Sequence, residues 1–199
     1  SQPTDGGNLI LDGRKEYDRA MSDPIAAKYV RPFRMGRELI NGTNRWCLWM
    51  PGVEPSEIKS SSFLRDRVDA VKETRLASRK AVTRGKAMTA WLFDENHQPT
   101  TRYLAIPAVF SGRREYATCD WYMSDIIAGN KIYTCADPDG LAFAVIESRM
   151  FMIWQKAIGG RLKSDPNFSN TVVWNNLPLP ALDDETRTAL IEAGRNVLV

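Results

Sequence analysis

A mixed α+β fold is what this sequence predicts: a curved, mixed or antiparallel sheet of short strands, one long basic helix, and a helix that leads into a polar loop. Three observations predict it. Short β-like runs separated by turn residues recur between positions 88 and 135. Residues 61–83 form one stretch of good helix formers with Leu64, Val68 and Val71 on one face. Residues 147–158, ESRMFMIWQKAI, place Met150, Phe151, Trp154 and Ile158 at helical spacing immediately before a glycine pair.

The bulk numbers fit one domain with appendages. At 199 residues the chain can bury a core, and 43% hydrophobic content with 10% aromatics is globular rather than disordered. Six tryptophans suit a β-rich core without any ligand. A net charge of +3 permits nucleic-acid binding without demanding it, because where the charges sit matters more than their sum. Cys47, Cys119 and Cys135 are odd in number and lack a CxxC pair, which argues against a disulfide scaffold or a zinc site and for a reducing cytoplasm. No apolar run reaches the length of a membrane span and no leader opens the chain, so a soluble cytoplasmic protein with no membrane partner is expected.

Residues 1–20, rich in Pro, Asp and Gly, read as a linker entering the domain, and a short helix is expected over 23–29. Asn41–Gly42 is a strong turn dipeptide, and the run at 45–49 after it is strand-like, so a hairpin is expected there. The helix over 61–83 carries Arg65, Arg67, Lys72, Arg75, Arg79 and Lys80 outside its apolar face. It either lies along a phosphate backbone or is simply solvated, with Asp69 and Glu73 supplying intrahelical pairs. Strands are expected at 90–93, 103–110, 116–122, 131–135 and 141–146, with Arg113 and Arg114 at a strand-joining turn. Residues 159–176, GGRLKSDPNFSNTVVWNN, crowd Arg161, Lys163, Asp165, Asn167 and Asn170 into ten residues before the strand-like 171–174. Such side chains in a short loop are equipment for reading base edges; an ordinary solvated turn is the plainer alternative. Asp183 or Asp184 then caps a final helix over 185–198.

Catalytic equipment is not evident. His97, the one histidine, lies in a polar turn with no motif to pair it, and glycine-rich phosphate loops are absent. No Asn-Pro-Pro-Tyr-like segment offers to hold an extruded base. No catalytic or metal-binding residues are therefore assigned, and the chain alone is not expected to be an enzyme.

Five blocks in a fixed order resemble one family: TDGGNLIL at 4–11, KYVRPFRMGRELINGTNRWCLW at 28–49, the Arg/Ser-rich helix, YLAIPAVFSGRREY at 103–116, and SRMFMIWQKAIGGRLKSDPNFSNTVVWNNLPLP at 148–180. They look like the target recognition domain of MmeI-like restriction-modification enzymes, long polypeptides that carry an adenine-N6 DNA methyltransferase. The resemblance implies an entry segment over 1–30, a DNA target recognition domain over 31–180, and the start of a C-terminal helical segment over 181–199. It implies double-stranded DNA as partner, together with an upstream methyltransferase domain of the same polypeptide. S-adenosylmethionine would bind in that domain, and no cofactor is expected in this chain.

In the family, two positions after Gly-Arg-Leu separated by one residue act as a base-reading pair, and they fall here on Lys163 and Asp165. Chemistry agrees: Lys donates to guanine O6 and N7, and Asp accepts from cytosine N4. Asn167 and Lys131 are carried over as further base readers. Arg161, Ser164 and Asn170 in the same block, Arg113 and Arg114 at the strand-joining turn, and Arg75 and Arg79 of the basic helix are the candidate backbone-contacting or positioning residues. Pro166 departs from the family pattern, removing a donor and stiffening the loop beside Asn167. The competing classes are a protein-interaction scaffold and an RNA-binding sheet. The DNA reading expects Lys163, Asp165, Arg113 and the basic helix on one concave face.

Overall fold

The structure, a computed structural model, describes residues 1–198. In chain order it runs β1 Ile10–Leu11, α1 Gly13–Ser22, β2 Val30–Arg34, α2 Gly36–Asn41, β3 Trp46–Leu48, α3 Pro55–Ser60, α4 Ser62–Leu76 and α5 Ala81–Gly85. It continues with β4 Tyr103–Pro107, β5 Asp120–Tyr122, β6 Ile127–Ala128, β7 Ile132–Cys135, α6 Leu141–Ile146, α7 Arg149–Ile158, β8 Gly160–Leu162, β9 Asp165–Asn167 and α8 Asp184–Arg195. The mixed α+β expectation holds. The chain divides into two compact units, the first made of Ser1–Arg34, Thr43–Gln98 and Asp125–Asn130, the second of Met35–Gly42, Pro99–Ser124 and the chain from Lys131 onward.

The first unit is built on a four-stranded sheet in the order β1-β3-β2-β6, antiparallel except for the parallel β2–β6 pair. Residues read as an entry linker are integral to it. Leu9 and Leu11 are fully buried, and the Asp5 carboxylate accepts from the Leu9 and Ile10 backbone N–H groups at 2.5 and 3.1 Å. Gly6 and Gly7 make that turn at φ of +60° and +86°, the left-handed region open to glycine. The apolar Leu-Ile-Leu run outweighs the polar lead in front of it, because burying such side chains is the dominant favourable term.

Local propensity and tertiary context part company at several places. The segment expected as a helix at 23–29 forms only a 3-10 turn at Ala26–Tyr29, whereas α1 just before it was not foreseen. Asn41–Gly42 closes α2 rather than a hairpin: Gly42 takes φ of +64°, the usual end of a helix. The helix expected through 83 stops at Leu76 and resumes as α5, with the Arg84 Nη1 donating to the Ser78 and Arg79 carbonyls of the break, both at 2.9 Å. No strand forms at 90–93; Phe93 instead packs edge-on against Phe33 and Trp49.

In the second unit β4 lies between β5 and β7, antiparallel to both, and every residue of β4 is buried. Its core joins Leu104, Ile106, Phe110, Phe143, Phe151, Phe168 and Val173. Residues 141–146, apolar enough to read as a strand, form α6 instead. The Asp137 carboxylate accepts from the Ala142 and Phe143 N–H groups at 3.0 and 3.1 Å, satisfying donors that a helix start leaves bare. The strand expected at 171–174 is a π-helical turn, Asn170–Trp174, with the Ser169 hydroxyl capping the Val172 N–H. That turn lets Phe168 and Val173 both reach the core, while Val172 stays exposed. α8 begins as expected at Asp183, whose carboxylate accepts from the Thr186 N–H at 2.7 Å. Gly194 of α8 rests on Ala144 of α6, where a Cβ would come within 2.6 Å of the Ala144 Cβ.

Candidate nucleic-acid interface

The polar loop of residues 159–170 is a β-hairpin in the second unit. β8 and β9 pair through Gly160↔Asn167, Arg161↔Pro166 and Leu162↔Asp165, leaving Lys163 and Ser164 as a two-residue tip. Lys163 adopts φ of +57°, a conformation that costs a β-branched or bulky residue energy and marks a tight reversal. Its side chain is exposed, as is Ser164. No ion pair joins Lys163 to Asp165 among the described residues, so the two are not a self-satisfied surface pair.

Strand geometry sorts the remaining side chains. Directly paired residues share a face and successive residues alternate, so Asp165 and Asn167 lie on one face with Leu162, and Arg161 lies on the other with Pro166. Arg161 is exposed but does not share the Asp165 face. Asn167 is exposed, and its carbonyl, not its side chain, is held from below by Gln155. Pro166 does not break the strand. It is buried, and its carbonyl still accepts from the Phe110 N–H at 2.9 Å.

The hairpin is fastened to the sheet. The continuation of β4 pairs with β9 through Phe110 N–H to the Pro166 carbonyl and Phe168 N–H to the Ala108 carbonyl, at 2.9 and 2.8 Å. On its other edge the Ala108 N–H donates to the Lys131 carbonyl at 2.9 Å. Lys131, exposed just before β7, is therefore two strand spacings from Phe168, roughly 10 Å across the backbone.

Beside the hairpin tip runs the loop that carries Arg113 and Arg114, both exposed. The Gly112 N–H donates to Asp165 Oδ1 at 2.9 Å, and a Cβ on Gly112 would stand 3.0 Å from the Ser164 carbonyl oxygen. Further along, the Lys156 ammonium donates to the Arg114 carbonyl at 3.2 Å. The loop ends at Cys119, whose N–H and thiol both donate to Glu147 Oε1, at 2.8 and 3.3 Å. Burial pushes the Glu147 carboxyl above its usual range, against the lowering effect of those donors, and burial also raises the Cys119 thiol.

One of the sequence expectations is overturned, and two others take different local settings. Arg75 is a correction: it is fully buried in the first unit, and its guanidinium donates to the carbonyls of Pro3, Thr4, Lys86, Thr89 and Leu92 at 2.6–3.1 Å. Every arm of that fork is occupied, so no donor remains for a phosphate. Arg79 is exposed, but it sits in the break between α4 and α5 rather than on a helix. Asn170 is exposed, yet its Oδ1 accepts from the Thr171 N–H at 3.0 Å and so serves its own turn. α4 is also less cationic than its sequence suggests. Arg67 is paired with Glu16, and the exposed positions mix Arg65 and Lys72 with Asp66, Asp69 and Glu73.

Two contributors were not singled out in advance, Gly112 and Gln155. Gln155 was visible as a polar residue on the buried face of α7, four positions after Phe151; Gly112 acts through its backbone and leaves no such trace. Among the described residues there is no cluster of His, Cys, Asp and Glu that could hold a metal, and no helix long and apolar enough to cross a membrane.

Comparison with known proteins agrees in kind. Residues 1–181 match the family described as "MmeI, target recognition domain". DNA methyltransferase A of Bacillus subtilis (strain 168) is 31% identical over 198 residues, which is all of this chain and 22% of that protein. A solved structure of the Type IIL restriction-modification enzyme MmeI in complex with DNA superposes with a TM-score of 0.94 at 33% identity, over 99% of this chain and 26% of that one.

Proposed function

Because the chain belongs to the MmeI target recognition domain family, we propose that it reads the base sequence of double-stranded DNA for an adenine-N6 methyltransferase of the restriction-modification type. The chain spans about a quarter of the relatives it matches. Catalysis, S-adenosylmethionine and the flipped adenine accordingly belong to a methyltransferase domain of the same polypeptide, acting in the cytoplasm.

One observation carries the reading: the hairpin of β8 and β9 holds an exposed Lys163 at its tip, with Asp165 on the adjoining strand and the Arg113–Arg114 turn tied alongside. A two-stranded ribbon is narrow enough to enter a major groove. In this reading Lys163 donates to guanine O6 or N7 and Asp165 accepts from cytosine N4, worth on the order of 1–3 kcal/mol of discrimination against a wrong pair. Asn167, on the same face as Asp165, and Lys131, across the sheet, extend the readout. Arg113 and Arg114 contact phosphate, with Arg161, Ser164 and Arg79 as further backbone contacts. Phosphate contacts set register without reading sequence.

The test is to exchange Lys163 and Asp165 together for another donor–acceptor pair in the full-length polypeptide and to sequence the sites it methylates. The expected result is a changed base at one position of the site, the others intact. An unchanged methylation sequence would remove Lys163 and Asp165 from the readers.

A further inference from the structure

We infer that the Gly112 N–H divides the Asp165 carboxylate between two tasks, Oδ1 holding the loop that carries Arg113 and Arg114, and Oδ2 alone facing a base. This rests on the DNA-reading function proposed above and sharpens it.

The geometry is specific. Gly112 N and Asp165 Oδ1 are 2.9 Å apart, and Oδ2 makes no hydrogen bond among the described residues. The absence of a side chain on Gly112 allows the close approach: a Cβ there would press on the Ser164 carbonyl oxygen at 3.0 Å, with Asp165 Oδ1 and Pro166 Cδ at 3.6 Å. Asp165 itself is anchored by its pairing with Leu162 and by the buried proline that follows it. With the backbone fixed and one oxygen bonded, the carboxyl plane cannot turn freely, and the second oxygen is presented in one direction. A free aspartate would offer either oxygen over a range of angles. Here a single acceptor is presented, and it pairs with a single donor such as the cytosine amino group.

A consequence follows for substitution at this position. Asparagine has the shape of aspartate but one oxygen and one NH2. The Gly112 N–H can bond only the oxygen, because the amide nitrogen is a donor and would meet it donor to donor. The amide orientation is therefore set by the tether, and Asp165→Asn places a donor where the acceptor was, with the loop unmoved. Asp165→Ala removes both the acceptor and the tether. The arginine turn, immediately adjacent in the chain, then loses its direct bond to the hairpin tip, while the Phe110–Pro166 and Lys156–Arg114 bonds on either side remain.

Two readouts on the full-length polypeptide separate these effects: the methylated sequence, and the salt dependence of duplex binding, whose slope counts neutralised phosphates. Both variants are first checked for wild-type thermal unfolding; Asp165→Asn retains the tether and serves if Asp165→Ala is impaired. The expected result for Asp165→Asn is a switch at one base toward an edge that offers an acceptor, at an unchanged salt slope. For Asp165→Ala it is weaker discrimination at that base, by about tenfold, together with a slope lower by roughly one to two. If Asp165→Asn loses discrimination and slope as Asp165→Ala does, or if Asp165→Ala keeps the wild-type slope, the divided role is overturned while base reading at 165 survives. If neither variant alters the methylated sequence, the base-reading assignment fails and the divided role falls with it.

Discussion

Gln155 lies wholly buried on α7 and donates through Nε2 to the Asn167 carbonyl at 3.2 Å, so the helix supports the hairpin from beneath. Gly159 makes room for this contact, since a Cβ there would fall 2.0 Å from that nitrogen. The other end of the amide, Oε1, is buried without a partner among the described residues. Gln155→Leu therefore removes a bond and an unsatisfied oxygen at once, and the two effects oppose each other. The Asn167 carbonyl left behind loses its donor, so a net loss of about 1 kcal/mol is expected. It would appear as a lower urea midpoint at unchanged slope. An unmoved midpoint would mean the orphaned oxygen costs as much as the bond contributes.

Arg75 separates a structural cation from a DNA-binding one. Burial lowers the pKa of its guanidinium, yet the charge is retained because five carbonyls surround it. Arg75→Met strands those acceptors in the interior, and a loss of roughly 3 kcal/mol or more is expected. Arg75→Lys keeps the charge but not the planar fork, and recovers only part of the loss. Thermal unfolding reads both variants. A phosphate-contacting arginine would leave the unfolding temperature in place and change only binding.

Glu147 ties the far end of the arginine loop and introduces a pH dependence. Burial raises its folded pKa, so the protonated form is the one the fold favours. That contribution is complete below the ordinary glutamate pKa, about 4.3, and is lost as the pH rises through the raised folded value. Glu147→Gln keeps an acceptor for Cys119 and cannot ionise. Its stability relative to the wild type should improve as the pH goes from about 4 to about 7, measured as the difference in unfolding midpoints. A difference that is flat across this range would place the carboxyl in an environment like water.

What was legible in the residues was decided locally. The helical spacing of Met150, Phe151, Trp154 and Ile158 was enough for α7, the Asp183 cap for the start of α8, and the β-like runs at 103–110 and 131–135 for β4 and β7. Two of the strand expectations failed for the same reason. Residues 141–146 and 171–174 are apolar and β-branched enough for strands, but Asp137 and Ser169 supply caps to turns of helix that their own sequence does not favour. Arg75 failed as a phosphate contact because its fate depends on Pro3 and Thr4, some seventy residues away in sequence.

By itself the sequence determined the mixed composition of helix and strand, the family, and the loop in which Lys163 and Asp165 fall, because these rest on short-range patterns and on block order. Only the tertiary structure decided that this loop is a hairpin, that Asp165 and Asn167 share a face which Arg161 does not, and that Gly112 holds one oxygen of Asp165. Those outcomes depend on which backbone donor meets which acceptor across distant segments. Burial makes leaving such groups unpaired costly, and no local propensity encodes the partner.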